Sequence, residues 1–244
     1  MKKIKLTIAY DGTGYGGWQV QPNAPTIQAE VEKALEGVLV EKVRVHGSGR
    51  TDAGVHALGQ AAHFETEKSI PPEGIRAGAN GFLPPAIRII SAEEAPADFH
   101  ARYSARGKIY RYLIFRRQVL SPFYHNRACH YPYPLDRERM EQAAAFFRGK
   151  HDFKALAASG GSVKDTVRTV ERIDIRDSGD LLAFEFEGDG FLYRMVRNLV
   201  GTILEAGRGK LDPAQIPAII EGKDRRRAGP TAPAEGLYLV EVRY

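Results

Sequence analysis

The chain opens on an alternating pattern. Ile4, Leu6, Ile8 and Tyr10 fall on one face of residues 3–10, the period of a half-buried strand. Residues 11–17, Asp-Gly-Thr-Gly-Tyr-Gly-Gly, are too rich in glycine for helix or strand and predict a loop. Thr26 then reads as an N-cap, because Ile27, Val31, Ala34, Leu35 and Val38 recur at helical spacing with Gly37 near the end. Short strands are expected over 43–45 and 60–65, with residues 47–56 between them. A second helix is expected after Pro71-Pro72, and an apolar element over 87–90. The order is β-α-β-β-α-β.

The remainder repeats that rhythm. Residues 109–115 predict a strand with Tyr110, Tyr112 and Ile114 on one face and Arg111 on the other. A helix over 135–147 precedes strands over 167–175 and 181–187, joined by the turn Asp177-Ser178-Gly179-Asp180. A long helix over 191–206 carries Met195, Leu199, Ile203 and Leu204, a short one begins near Pro213, and a strand over 237–242 closes the chain. The expected fold is α+β: two ferredoxin-like halves, residues 1–105 and 106–244, sharing a continuous, mainly antiparallel sheet flanked by helices.

Composition narrows the function. The chain has 244 residues, 43% of them hydrophobic, and no apolar run nears the roughly 20 residues needed to span a bilayer. Its start lacks a continuous secretory apolar block, so a cytoplasmic protein is expected. A single cysteine, Cys129, excludes an intrachain disulfide and a cysteine-built zinc site. His46, His56 and His63 are expected to diverge on a strand-loop-strand, giving no metal site. The net charge is +5, and its distribution says more: residues 1–105 carry 11 basic and 12 acidic side chains, residues 106–244 carry 24 and 18. Arg102, Arg106, Lys108, Arg111, Arg116 and Arg117 follow one another with no acid among them, interleaved with Tyr103, Tyr110, Tyr112 and Phe115. Arg225-Arg226-Arg227 forms a second cluster. Cations among stacking faces suit a polyanionic, base-bearing partner.

The most unusual local sequence is Gly47-Ser48-Gly49-Arg50-Thr51-Asp52-Ala53-Gly54-Val55-His56. Three glycines in eight positions imply a sharp turn or a close approach. By composition alone the segment reads equally as an Asx-turn with a solvated arginine or as a functional carboxylate loop. A phosphate cradle is disfavoured: the spacing is wrong and Asp52 would repel phosphate. Trp18 suits either stacking on RNA or packing beneath the glycine loop, and Asp11 and Asp98 read as turn residues.

Residues 49–56 closely resemble the catalytic motif of the bacterial tRNA pseudouridine synthases of the TruA family. Tyr10-Asp11-Gly12 with Gly17-Trp18-Gln19 is similar to that family's opening, and Asp98-Phe99-His100-Ala101-Arg102 followed by Tyr110-Arg111-Tyr112 to its middle block. Residues 191–201 resemble its late helix motif, and Glu235-Gly236-Leu237-Tyr238-Leu239 its final strand. These blocks keep the family's order over essentially the whole chain. Leu156 departs from the pattern where an aromatic residue is expected, outside any catalytic block.

The resemblance implies isomerisation of uridine to pseudouridine in the anticodon stem-loop of tRNA, at positions 38, 39 and 40, by a homodimer whose two subunits both contact one tRNA. The reaction breaks the N1–C1′ bond, rotates the base and rejoins it through C5. It involves no redox change and no phosphoryl transfer, so no cofactor and no metal is expected. Asp52 is implied as the catalytic carboxylate, Arg197 as the cation that keeps it ionised, Tyr110 as a residue stacking on the target base and a candidate to remove its C5 proton, and Arg50 as a group filling the space of the extruded nucleotide. Arg102 and Arg111 are implied in substrate binding. Two other classes compete: a non-catalytic RNA-binding protein, which gains nothing from a carboxylate facing phosphates, and a hydrolase with Asp52 as nucleophile, which lacks an activating histidine dyad or metal set.

Overall fold

The structure is a computed structural model and describes every residue except Ser162 and Lys164. In chain order the elements are β1 (Lys2–Tyr10), α1 (Ile27–Leu39), β2 (His46–Gly47), β3 (His56–Thr66), α2 (Pro72–Phe82), β4 (Ile87–Ala95), β5 (Gly107–Phe115), β6 (Cys129–His130), α3 (Arg137–Phe146), β7 (Gly149–Asp152), β8 (Val167–Ser178), β9 (Leu181–Gly188), α4 (Met195–Gly207), α5 (Ile216–Gly222) and β10 (Leu237–Arg243). The chain is α+β, with mostly antiparallel strands flanked by helices. It divides into two compact units, Met1–Arg106 with Tyr238–Tyr244, and Gly107–Leu237.

In the first unit the strands lie in the order β4-β1-β3, with β2 on the far side of β3, the four-strand plan of a ferredoxin-like fold. Ile4, Leu6, Ile8 and Tyr10 are buried, as their alternation requires. The Thr26 side chain accepts from Ala29 N–H and caps α1. β10 joins β3 in parallel, Tyr238 opposite His56 and Leu239 opposite Ala57. Gly59 permits that approach, since a Cβ there would lie 2.5 Å from the Val240 carbonyl oxygen. In the second unit β5, β9 and β8 are consecutive antiparallel neighbours, β7 extends β8, and β6 runs parallel to β5. Leu182, Phe184 and Phe186 alternate into the core with Met140, Leu199 and Ile203 from the helices.

Three sequence expectations change. Residues 43–45 form no strand, because α1 side chains claim the backbone of Val45: its N–H donates to Glu32 Oε1 and its carbonyl accepts from Gln28 Nε2. The pairing strand is β2, just beyond. The helix expected from residue 191 starts at Met195, because Arg194 sits in the left-handed region (φ 57°), which a right-handed helix cannot incorporate. The element expected over 87–90 runs on to Ala95, its polar end held by Lys5–Glu93 and Lys2–Glu94 ion pairs rather than by apolar burial.

Candidate active site

Residues 48–55 join β2 to β3, and the segment is fixed from below. Ser48 N–H donates to the Ala61 carbonyl (2.8 Å) and Ser48 Oγ to Gln60 Oε1 (2.8 Å). Gln60 Nε2 donates in turn to the Gly49 carbonyl (2.9 Å). The Thr51 carbonyl accepts from Trp18 N–H (3.1 Å), and Thr51 Oγ1 shares a buried hydrogen bond with the Tyr10 hydroxyl (2.9 Å). Burial pushes the Tyr10 phenol well above its ordinary range, so it stays a neutral partner. Val55 N–H donates to the Asp52 carbonyl (3.1 Å), closing a turn that needs Gly54 at φ 76°.

The glycine loop at residues 11–17 braces this turn. A Cβ on Gly12 would lie 2.1 Å from the Val55 carbonyl oxygen, and one on Gly17 (φ 97°) 2.4 Å from that of Thr51. Two glycine-rich segments far apart in sequence are thus one backbone-on-backbone contact flanking Asp52. Trp18 is 2% exposed and its indole lies under Gly47, so of its two readings packing is the one that holds. His56 is buried, accepts from Gly12 N–H at Nδ1 (3.0 Å) and stacks on Tyr238 (4.6 Å between centroids), which ties the bracing loop to β3. Asp11 makes the expected Asx-turn, accepting from Thr13 N–H and Oγ1. The product is a half-buried Asp52 on an immobilised backbone, with Arg50 exposed two residues before it and its Nε donating to Gln19 Oε1 (3.1 Å).

Arg102 belongs to the same unit but not to this loop. It follows β4 in a turn where Ala101 N–H donates to His63 Nδ1, near the opposite end of β3. There the structure corrects the expected divergence of histidines. His46 and His63 stack at 5.1 Å and His100 joins them, while His56 lies apart, because pairing of β2 with β3 sets His46 opposite His63. Among the described residues no group of three or more His, Cys, Asp or Glu is arranged to hold a metal ion.

The second unit carries Tyr110, Arg111 and Arg197. Tyr110 is 9% exposed on β5, opposite Phe186, with its ring edge-on to Phe191 (5.3 Å). Tyr112 is a core residue, its hydroxyl donating to the Pro233 carbonyl (2.8 Å). Burial raises its pKa well above the ordinary range and lifts the neighbouring Cys129 thiol to about 11. Arg197 lies in the first turn of α4, with Nε donating to the Ala232 carbonyl (2.7 Å) and its own carbonyl accepting from Ala232 N–H (3.1 Å). Gly201 permits this, since a Cβ there would lie 1.7 Å from the Pro230 carbonyl oxygen.

The basic clusters are less free than the sequence suggests. Arg111 pairs with Glu185 across strands (3.1 Å), within a ladder that continues through Arg172, Asp174 and Arg176. Arg116 pairs with Asp177 and Arg117 with Asp180, both at 2.6 Å. The run has no acids of its own, but strand pairing sets those of β8, β9 and their turn opposite it. In the triple arginine, Arg225 turns inward, donating to Asn198 Oδ1 (2.9 Å), Thr231 Oγ1 (3.1 Å) and the Gly229 carbonyl (2.8 Å), and burial lowers its pKa. Sequence reading missed Gln60, Asn198 and Arg225 as positioning residues. The available signal was a polar residue at an inward position of an apolar strand or helix, as with Gln60 and Asn198, both fully buried.

Comparison with known proteins agrees with this architecture. A family model described as tRNA pseudouridine synthase matches residues 6–104 and 143–244. The chain is 50% identical over 244 residues to the tRNA pseudouridine synthase A of Acetivibrio thermocellus, covering all of both chains. It is 49% identical to that of Ruminiclostridium cellulolyticum and 48% identical to that of Caldicellulosiruptor bescii, again over the full length of each.

Proposed function

This chain belongs to the tRNA pseudouridine synthase family, and from that premise we propose that it isomerises uridine to pseudouridine at positions 38, 39 and 40 of the tRNA anticodon stem-loop, with Asp52 as the catalytic carboxylate. It is an RNA pseudouridine synthase, an isomerase acting on uridine in tRNA. The observation that carries the finer reading is the doubly braced turn: Asp52 is held half-buried by a backbone that Gln60, Tyr10, Gly12 and Gly17 immobilise. A carboxylate whose position is fixed before substrate arrives loses little freedom on reaching the reacting sugar or base.

The reaction is redox-neutral. Asp52 engages C1′ of the ribose or C6 of the base, the N1–C1′ bond breaks and the uracil turns; C5 then bonds to C1′, the bond to Asp52 breaks, and C5 gives up its proton while N1 gains one. Side chains suffice for every step, which is why no cofactor enters the proposal. A stem uridine is reached only by extrusion, at about a few kcal/mol, and Arg50, exposed beside Asp52, is assigned to the vacated space or the displaced phosphate. Arg197 is assigned as the cation favouring ionised Asp52, and Tyr110 as a stacking surface for the target base. Arg102 and Arg111 are assigned to RNA binding. In Arg111 the cross-strand bond to Glu185 orients the guanidinium, so its contribution to affinity is reduced by that partner. We extend the proposal to a cytoplasmic homodimer whose two subunits contact one tRNA. Among the described residues no helix is long and apolar enough to cross a membrane.

The test is direct. Protein incubated with unmodified tRNA, without added metal or nucleotide, is expected to leave pseudouridine at positions 38, 39 and 40. Modification confined to other uridines would refute the anticodon assignment, and its complete absence would refute the catalytic one.

A further inference from the structure

His46, His63, His100 and Tyr103 form a continuous ring ladder in the first unit, and none of the four rings takes part in the proposed reaction. His46 stacks on His63 (5.1 Å, 24° between planes), His63 meets His100 edge-on (4.7 Å, 64°), and His100 lies against Tyr103 (4.3 Å, 36°). The ladder climbs from His63, 4% exposed, to Tyr103, 78% exposed, with the Arg102 guanidinium 5.8 Å from the Tyr103 ring centroid.

The tautomers are fixed. His63 Nδ1 accepts from Ala101 N–H (3.1 Å), and His100 Nδ1 from Arg102 N–H (3.1 Å) and Tyr103 N–H (3.4 Å). A neutral imidazole accepting at Nδ1 carries its proton on Nε2. Both rings therefore present an Nε2–H, and neither Nε2 has a hydrogen-bond partner among the described residues. An Nε2–H donates and does not ligate a metal, which sets the chemical class of ligand: an anion. The field agrees. Lys3 lies close enough to both rings to lower their pKa values, with burial the larger cause in each case. Lys3 is partly offset by Glu65 (3.3 Å).

Resting on the synthase reading above, we propose that this ladder is a second RNA contact, holding a backbone phosphate of the tRNA between the imidazole N–H donors and Arg102 while Tyr103 packs against the adjoining nucleotide. His63 lies seven residues along β3 from His56, about 23 Å at the rise of a strand. The contact supplies affinity rather than chemistry.

Three variants separate this role from a structural one. Tyr103→Ala and His46→Ala alter exposed rings. His100→Asn keeps an oxygen where Nδ1 caps the turn and removes the Nε2–H. Each is expected to raise KM for whole tRNA by roughly three- to tenfold, the worth of a lost hydrogen bond or stacking contact, with kcat at saturating tRNA and melting temperature unchanged. Unchanged KM beside an active wild type would overturn the inference while leaving the synthase reading intact. A wild type that makes no pseudouridine would instead overturn the reading it rests on. A fall in kcat together with melting temperature would make the ladder merely structural. Calorimetric titration with inorganic phosphate distinguishes the source of the anion: phosphate binding lost in the variants with tRNA affinity retained would make this a free-anion site and overturn the RNA assignment.

Discussion

At the scale of single residues, the chemistry depends on side chains that hold other side chains still. Tyr10→Phe deletes one buried hydrogen bond to Thr51 and is expected to lower stability by about 1 kcal/mol. Its effect on turnover is expected in kcat rather than KM, because the Asp52 turn loosens while the RNA surface does not change; steady-state kinetics beside a thermal melt check this. Tyr110→Phe separates two roles of that ring: if the hydroxyl removes the C5 proton, N1–C1′ cleavage proceeds and product release of the C5 proton stalls, measured as tritium loss from labelled uridine. His63 yields a pH prediction. Burial, with His100, His46 and Lys3, lowers its pKa from 6.5 to about 4. The unfolded chain therefore binds this proton more readily than the folded one, and stability falls as pH drops from about 6.5 toward 4. A His63→Gln variant, melted across that window, is expected to show a flatter acid limb than the wild type. The turn that carries Arg50 and Asp52 was legible in the sequence because three glycines in eight positions imply one, whereas the roles of the two side chains were implied only by the resemblance. Gln60 was not legible, since one glutamine in a strand gives no sign that both its amide groups serve a loop.

At the scale of elements, alternation and capping located nearly every strand and helix, and each failure has a local physical cause. Where a side chain takes over a backbone partner, as Glu32 and Gln28 do at Val45, local pattern predicts a strand that pairing never forms. Where a non-glycine residue adopts positive φ, as at Arg194, apolar periodicity runs through a boundary it cannot see. The short strands β6 and β7 carry too few residues to show a period. The glycine contacts make a sharp prediction at this scale. Gly201→Ala drives a methyl into the Pro230 carbonyl, against backbone that α4 also holds through Arg197 and Ala232, and is expected to destabilise the second unit by roughly 1–3 kcal/mol as an overpacked site. A melting temperature equal to that of the wild type would show that the segment at residues 229–232 yields freely.

At the scale of the whole molecule, charge and family point to RNA, while the ion pairs temper how charge is read. The acid-free basic run overstates the cation available to phosphate, because Arg111, Arg116 and Arg117 each meet an acid from a neighbouring strand or turn. The sequence disclosed the run and could not disclose its partners, which lie some 60 to 75 positions later. Binding of tRNA is still expected to weaken as salt rises, with a slope set by phosphate contacts, and light scattering during chromatography is expected to give twice the 27.0 kDa chain mass. The most direct test of the central claim is Asp52→Asn, assayed for tRNA binding and for pseudouridine formation under single-turnover conditions. Affinity is expected within about twofold of wild type, less than a typical net hydrogen bond, with no detectable product; product formation at an appreciable fraction of the wild-type rate would contradict the catalytic role of Asp52.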